Sequence, residues 1–286
     1  MVNIKLNDGN TIPQVGLGTW QLEKEECYET VLNALKIGYR HIDTAEIYFN
    51  QKEIGRAIKD SGINREEIFI TTKVWPNNYK KEKIRKSVEK SLEQLSTDYI
   101  DLVLLHKNVG KYMEAWNELI ELQKEGKIKS IGVSSFKEKQ LEKIINVNGI
   151  KPVVDQIEVN PFCQRHELVE YLERKDIKTE VWYPLGHGNQ KIINHPLFVE
   201  LSNKYNKTPV QIILRWHVQS NHIVFPKSTN PKHLKENLEI FDFELSEEDM
   251  NRISKIDKKR SFDTIPIFLQ YPVIFFLGID MYFKKY

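Results

Sequence analysis

The run Tyr99-Ile100-Asp101-Leu102-Val103-Leu104-Leu105 decides how this chain folds. Apart from Asp101 it is apolar, without the alternation of a half-exposed strand, and so reads as a parallel strand covered on both faces. Just before it, Ile84, Val88, Leu92 and Leu95 recur at helical spacing within 83–95 and lay one apolar stripe against such a sheet. The same pairing repeats outward in both directions. Strands are expected at 14–17, 40–44, 68–74, 100–106, 128–133, 153–158, 178–183 and 223–226, with amphipathic helical patterns between them. Thr208-Pro209-Val210-Gln211 carries a capping residue, a first-turn proline and a Gln at the third helical position. Ser246-Glu247-Glu248-Asp249 starts another helix with acids in its first turn.

Eight strands each followed by a helix predict an α/β fold, a (β/α)8 TIM barrel with right-handed crossovers. Ahead of it, 2–6 and 10–12 flank Asn7-Asp8-Gly9, whose Asp-Gly pair predicts an N-terminal β-hairpin closing the barrel bottom. No solenoid repeat and no Gly/Ser-rich linker interrupts the pattern, so residues 1–286 are expected to form one domain.

Composition narrows the function. With 42 basic and 40 acidic residues mostly interspersed, the net charge is +2, and no basic block predicts a nucleic-acid groove. Cys27 and Cys163, the two cysteines, stand far apart and predict neither a disulfide framework nor a metal site. The first residues carry no signal-peptide apolar stretch, so a cytoplasmic protein without a transmembrane segment is expected. One region breaks the average: residues 265–279 carry no charge, which is too short for the ~20 residues of a membrane span and is interrupted by two prolines.

Barrel chemistry sits at the C-terminal strand ends. Those ends hold Asp43, Lys73 and His106, with Tyr48 in the loop five residues after Asp43. Each has an ordinary structural explanation, an ion pair for Asp43 and Lys73 or a packed ring for His106 and Tyr48. Four different titratable groups on one rim favour a reactive site. Gly16-Leu17-Gly18-Thr19-Trp20-Gln21 has only part of a dinucleotide fingerprint and no βαβ unit after it, so a tight turn is expected there rather than a phosphate loop.

His41-Ile42-Asp43-Thr44-Ala45 with Tyr48, Thr72-Lys73-Val74-Trp75 and Leu104-Leu105-His106 resemble the active-site signatures of the aldo-keto reductase superfamily. Gly16-Leu17-Gly18-Thr19-Trp20, Gly132-Val133-Ser134, Gln156-Ile157-Glu158-Val159-Asn160-Pro161, Pro184-Leu185-Gly186, and Pro226-Lys227-Ser228 with Glu236-Asn237 extend the likeness over residues 1–258. Within the superfamily the chain resembles the bacterial diketogulonate and glyoxal reductase type. The resemblance implies a hydride transferred from NADPH, with NADH possible, to small aldehydes, α-dicarbonyls or ketones. Tyr48 would be the proton donor, its pKa lowered by Lys73. Asp43 would pair with Lys73, and His106 would orient the substrate carbonyl.

It also implies a cofactor site. The nicotinamide end would meet Thr19, Trp20, Asp43, Ser134, Ser135 and Gln156, with the ring stacked on Trp182 and bordered by Tyr183, Pro184 and Leu185. The phosphate end would meet Lys227, Ser228, Thr229, Asn230 and His233, with Glu236 and Asn237 near the adenine. Departures from the family pattern are Ser135 for Asn, His233 for Arg and Lys107-Asn108 for Trp-Pro after His106. Trp20, Trp75 and His106 would line the substrate pocket, which the Lys107 change opens or makes more polar. The tail 265–286 is expected near the barrel mouth; an oligomer contact, or shallow membrane contact with Lys284 and Lys285 at the boundary, are the alternatives. A monomer or weak homo-oligomer is expected. The runner-up function is a cofactor-binding regulatory or partner-binding barrel with little turnover.

Overall fold

The computed structural model describes residues 2–261. Strands β1 (Asn3–Lys5) and β2 (Thr11–Pro13) form an antiparallel hairpin in register Ile4↔Ile12. Gly9 closes its turn at φ 92°, a conformation that a side chain would strain. Eight parallel strands follow: β3 (Leu17–Gly18), β4 (His41–Asp43), β5 (Phe69–Val74), β6 (Ile100–Leu105), β7 (Ile128–Ser134), β8 (Val154–Glu158), β9 (Lys178–Trp182) and β10 (Ile223–Val224). Each pairs with its chain neighbour. The sheet closes where Val15 bridges Val224, with the Gly16 N–H on the Val224 carbonyl at 2.9 Å and the Val224 N–H on the Gln14 carbonyl at 3.0 Å.

Every expected strand is present, and most are trimmed by a residue or two at an end. At 183 the reason is local: Tyr183 turns to φ 58°, left-handed, and leaves the sheet after Trp182. The tight turn expected within 16–21 closes the first barrel strand at 19–22, where Gln21 takes φ 60° and the Leu22 N–H donates to the Thr19 carbonyl at 3.1 Å, while the two glycines lie ahead of it. Neither glycine has positive φ, and Gly18 lies within β3. A Cβ on Gly18 would sit 2.7 Å from the Phe225 carbonyl oxygen, and one on Gly16 would sit 2.9 Å from the His41 and Phe225 rings. These glycines let the first and last barrel strands approach each other.

Helices cover the outside. Lys81–Leu95 buries Ile84, Val88 and Leu95 against the sheet. Thr208 forms the capping box of Pro209–Gln219, with the Gln211 N–H on its hydroxyl at 3.2 Å and its own N–H on the Gln211 side-chain Oε1 at 3.0 Å. Ser246 caps Glu247–Ser254 through the Asp249 N–H at 3.2 Å.

The hairpin plugs the end of the barrel away from the strand C-termini. Leu6 and Ile12 join Phe69, Leu102, Leu104, Val154 and Ile223 in one buried cluster. Asn7 donates to the carbonyls of Pro152 and Asp176 at 2.9 and 2.8 Å, just ahead of β8 and β9, and Ser130 donates to Asp8 at 2.7 Å. At the other end, the N–H groups of Lys258 and Arg260 donate to the Phe162 carbonyl, so the last described residues run along the C-terminal rim. The tail 265–286 lies outside the described residues. Among the described residues no helix is long and apolar enough to cross a membrane, and no group of three or more side chains could hold a metal ion.

Candidate active site

The four rim residues converge because their strands are neighbours. Asp43 ends β4, Lys73 lies near the end of β5, and His106 follows β6 with its N–H still on the Val74 carbonyl at 3.0 Å. Tyr48 ends a short 3-10 turn, Glu46–Tyr48, after β4. Its loop is clamped by Asn50, which accepts from the Thr44 hydroxyl at 2.9 Å and donates to the carbonyls of Thr19 and Leu22 at 2.8 and 3.0 Å.

At the centre, the Lys73 ammonium donates to both Asp43 oxygens at 2.7 and 2.8 Å and to the Thr44 carbonyl at 2.9 Å, with its side chain 1% exposed. Burial works against that charge, but Asp43 and then Tyr48 more than offset it and hold the lysine above its ordinary range. Burial likewise raises Asp43, against the pull of Lys73 and Gln156. The ammonium lies 5.1 Å from the Tyr48 ring centre. Burial raises the Tyr48 hydroxyl, and Lys73 pulls it down without cancelling the rise. Lys73 therefore acts in the direction expected, but desolvation is the larger effect and Tyr48 stays a phenol.

His106 is the opposite case. Burial first, then the charges of Lys73 and Lys107, push its pKa well below the usual value, so its ring is neutral. It stands edge-on to Trp75 and Tyr48, with ring centres 4.9 and 6.1 Å apart. A neutral imidazole is a hydrogen-bond donor rather than a competing acid.

These groups face a cavity of about 480 Å³. Asp43, Tyr48, Trp75 and His106 line it together with Trp20, Ser134, Ser135, Gln156, Trp182, Tyr183, Pro184, Leu185 and Lys227. Trp182 and Tyr183 meet edge-on at 4.7 Å, and Tyr183 also packs near Trp20 and His187 at 5.8 and 5.0 Å. The Ser134 hydroxyl donates to the Gln156 carbonyl at 3.0 Å. Ser135 sits at φ 61°, and its buried hydroxyl oxygen has no hydrogen-bond partner among the described residues.

Thr19 is not at the cavity surface. It is wholly buried, and its hydroxyl donates to the Asp43 carbonyl at 2.9 Å, which steadies the end of β4. Ser228, Thr229, Asn230, His233, Glu236 and Asn237 continue from Lys227 beyond the cavity. Asn230 caps helix Pro231–Leu238 through the Lys232 N–H at 2.9 Å, and the Ser228 hydroxyl accepts from the Asn230 N–H at 3.2 Å. His233 is exposed, Glu236 pairs with Lys232 at 3.7 Å, and Asn237 is buried against the Tyr39 hydroxyl.

Several supporting residues, Lys107 apart, had no signal in the sequence. Tyr79 holds the loop after His106, its hydroxyl donating to the Lys107 carbonyl at 2.9 Å and accepting the Lys107 N–H at 3.0 Å. Glu46 accepts from the Trp75 N–H and from Asn78, which fixes the Trp75 wall. Lys107 lines the mouth, with its ammonium 5.9 Å from the Trp182 ring centre. Glu180 lies fully buried on β9 beside Gln156. Tyr79, Glu46 and Glu180 act across loops or strands far apart in sequence, where no local motif marks them, whereas Lys107 stands out beside His106 as a departure from the family pattern.

Comparison with known proteins identifies the family. The Aldo/keto reductase family model matches residues 14–258. The methylglyoxal reductase DkgA of Escherichia coli (strain K12) is 43% identical over 258 residues, which is 89% of this chain and 93% of that protein. The crystal structure of an aldo/keto reductase from Brucella melitensis aligns with a TM-score of 0.87 at 46% identity, covering 90% of this chain and 99% of that one. A Bombyx mori aldo-keto reductase solved in complex with NADP aligns with a TM-score of 0.86 at 33% identity, covering 93% and 95%. A closed parallel barrel, four titratable groups on its C-terminal rim and a match over nearly the whole described chain lead to one conclusion: this chain is an oxidoreductase of the aldo/keto reductase family.

Proposed function

We propose that this protein reduces the carbonyl of small aldehydes, α-dicarbonyls or ketones with NADPH, and that Tyr48 supplies the proton. The observation that carries the reading is the buried Lys73–Asp43 ion pair set against the Tyr48 phenol, beside a neutral His106. When bound, the reduced nicotinamide supplies a hydride. His106 donates a hydrogen bond to the carbonyl oxygen and orients it. As the carbonyl carbon gains the hydride, the Tyr48 hydroxyl gives its proton to the oxygen, and the resulting phenolate is stabilised by the Lys73 charge. Water then returns the proton to Tyr48.

The cavity fits the cofactor's reactive end. The unpartnered Ser135 hydroxyl and the Gln156 side chain offer polar contacts to a carboxamide, and Trp182 offers an aromatic face. Lys227 lines the cavity and leads into the capped helix Pro231–Leu238, where N–H groups and a cation suit a phosphate. The bacterial methylglyoxal reductase and the NADP-bound structure support the same assignment.

The test is NADPH oxidation against a panel that includes methylglyoxal, a simple aldehyde and a ketone. No turnover of any member, with NADPH still bound, would favour a regulatory barrel. Two substitutions probe the departures. His233→Arg is expected to raise the kcat/KM preference for NADPH over NADH by about 10-fold, since a charge-assisted pair contributes roughly 1.5–3 kcal/mol. An unchanged preference would place His233 away from the phosphate. Ser135→Asn suits φ 61° better and reaches further, so NADPH should bind about 3-fold tighter, measured as Kd.

A further inference from the structure

We propose that Glu180 is a positioning residue that acts through Gln156, setting which end of the Gln156 amide faces the cofactor. The geometry is specific. Gln156 on β8 and Glu180 on β9 are direct cross-strand partners, and both are buried. The Gln156 amide nitrogen donates to Glu180 Oε2 at 3.1 Å and to Asp43 Oδ2 at 2.9 Å. An amide nitrogen has two hydrogens, and both are thereby committed to the barrel interior. The amide carbonyl oxygen is left as the group that Gln156 presents to the cavity, and an acceptor is what a carboxamide NH2 needs. Asp43 alone engages one hydrogen; the second carboxyl prevents the amide from turning over.

Glu180 also carries a charge switch. Its neighbours are Asp43 on β4, Lys73 on β5, Asp155 and Gln156 on β8, and the apolar Ile223 on β10. Burial first, then the negative charge of Asp43, push its pKa up to about 8, against the pull of Gln156 and Lys73. Its Oε1 is buried with no hydrogen-bond partner among the described residues. At neutral pH Glu180 is a neutral acid; above about 8 it adds a negative charge beside Asp43 and Lys73. Oxidised nicotinamide is a cation and the reduced ring is neutral, so ionised Glu180 favours NADP+ relative to NADPH.

This inference rests on the reading of Gln156 as a nicotinamide contact, and the experiment separates the two. The Kd values of NADP+ and NADPH are measured by tryptophan fluorescence, on either side of the Glu180 ionisation, in the wild type, Glu180→Gln and Glu180→Leu. For the wild type, the NADP+/NADPH affinity ratio is expected to rise about 3- to 10-fold with pH, the size of a partly screened charge interaction. Glu180→Gln keeps an acceptor for Gln156 and cannot ionise; it should bind NADPH as the wild type does and lose the pH dependence. Glu180→Leu should weaken NADPH about 10-fold, because one Gln156 hydrogen is left unpaired.

Unfolding of the ligand-free protein reads the charge independently. A carboxyl raised from 4.5 to about 8 makes stability fall as pH rises through that interval, and Glu180→Gln should reduce the slope. A pH-dependent affinity ratio that persists in Glu180→Gln, or wild-type NADPH affinity in Glu180→Leu, overturns the proposal. Failure of the wild type to bind either nucleotide overturns the cofactor reading itself, and this inference with it.

Discussion

Tyr48→Phe is expected to lower kcat for carbonyl reduction by about 100- to 10,000-fold while NADPH binding persists, the range that a positioned general acid supplies. The substitution removes one hydroxyl and keeps the ring that packs edge-on to His106. Lys73 and Asp43 retain each other, so the fold and the floor of the cavity are preserved. His106 cannot take over, because burial and the adjacent lysines hold it neutral. Single-turnover kinetics with NADPH and methylglyoxal, alongside NADPH Kd, separate loss of chemistry from loss of binding. Turnover near that of the wild type would remove Tyr48 from the proton-donor role. The wild-type pH profile has a defined direction. Burial holds the Tyr48 hydroxyl above the ordinary tyrosine value, so its proton is available throughout neutral pH, and reduction should decline only under alkaline conditions.

Lys73→Met is expected to cost about 3–5 kcal/mol of stability at neutral pH, the penalty for leaving a buried carboxylate without its cation. Asp43 is 6% exposed, and besides Lys73 only Gln156 donates to its carboxyl among the described side chains. Burial already raises Asp43, and without Lys73 that rise is larger. Its folded pKa then lies further above the value in the unfolded chain. The loss should therefore grow as pH rises through the interval between the two and shrink on acidification, when Asp43 becomes neutral. Urea unfolding at several pH values measures it. Adding Asp43→Asn to Lys73→Met should recover most of the stability and none of the activity, because the phenolate would still lack a cation. A single variant as stable as the wild type at neutral pH would show that Asp43 is neutral in the native protein.

Parts of the barrel were legible because local pattern and tertiary role coincide. The apolar run at β6 is buried on both sides, and the stripe Ile84, Val88 and Leu95 faces the sheet. The hairpin turn needs Gly9 for a backbone angle, which the Asp-Gly pair signals directly. Gly16 and Gly18 differ from Gly9, because the turn that follows them at 19–22 is made by Gln21 at φ 60° and does not need them. Their requirement comes from Phe225 and His41, far away in the chain, and not from a local turn. At the site, Asp43, Lys73 and His106 were found by their place at strand ends. Thr19 shares that neighbourhood but turns its hydroxyl into the backbone of β4.

The sequence by itself determined the order of strands and helices, the hairpin, and the set of titratable side chains that the rim brings together. Those features depend on residue periodicity and on position along each strand, which are properties of the chain. Only the tertiary structure decided the electrostatic state of the site. Desolvation outweighs the Lys73 charge at Tyr48 and keeps His106 neutral, and the Gln156 amide joins Glu180 to Asp43 by hydrogen bonds. Burial and the distances between charges exist only once eight strands have closed into one sheet, and those two quantities decide where protons reside.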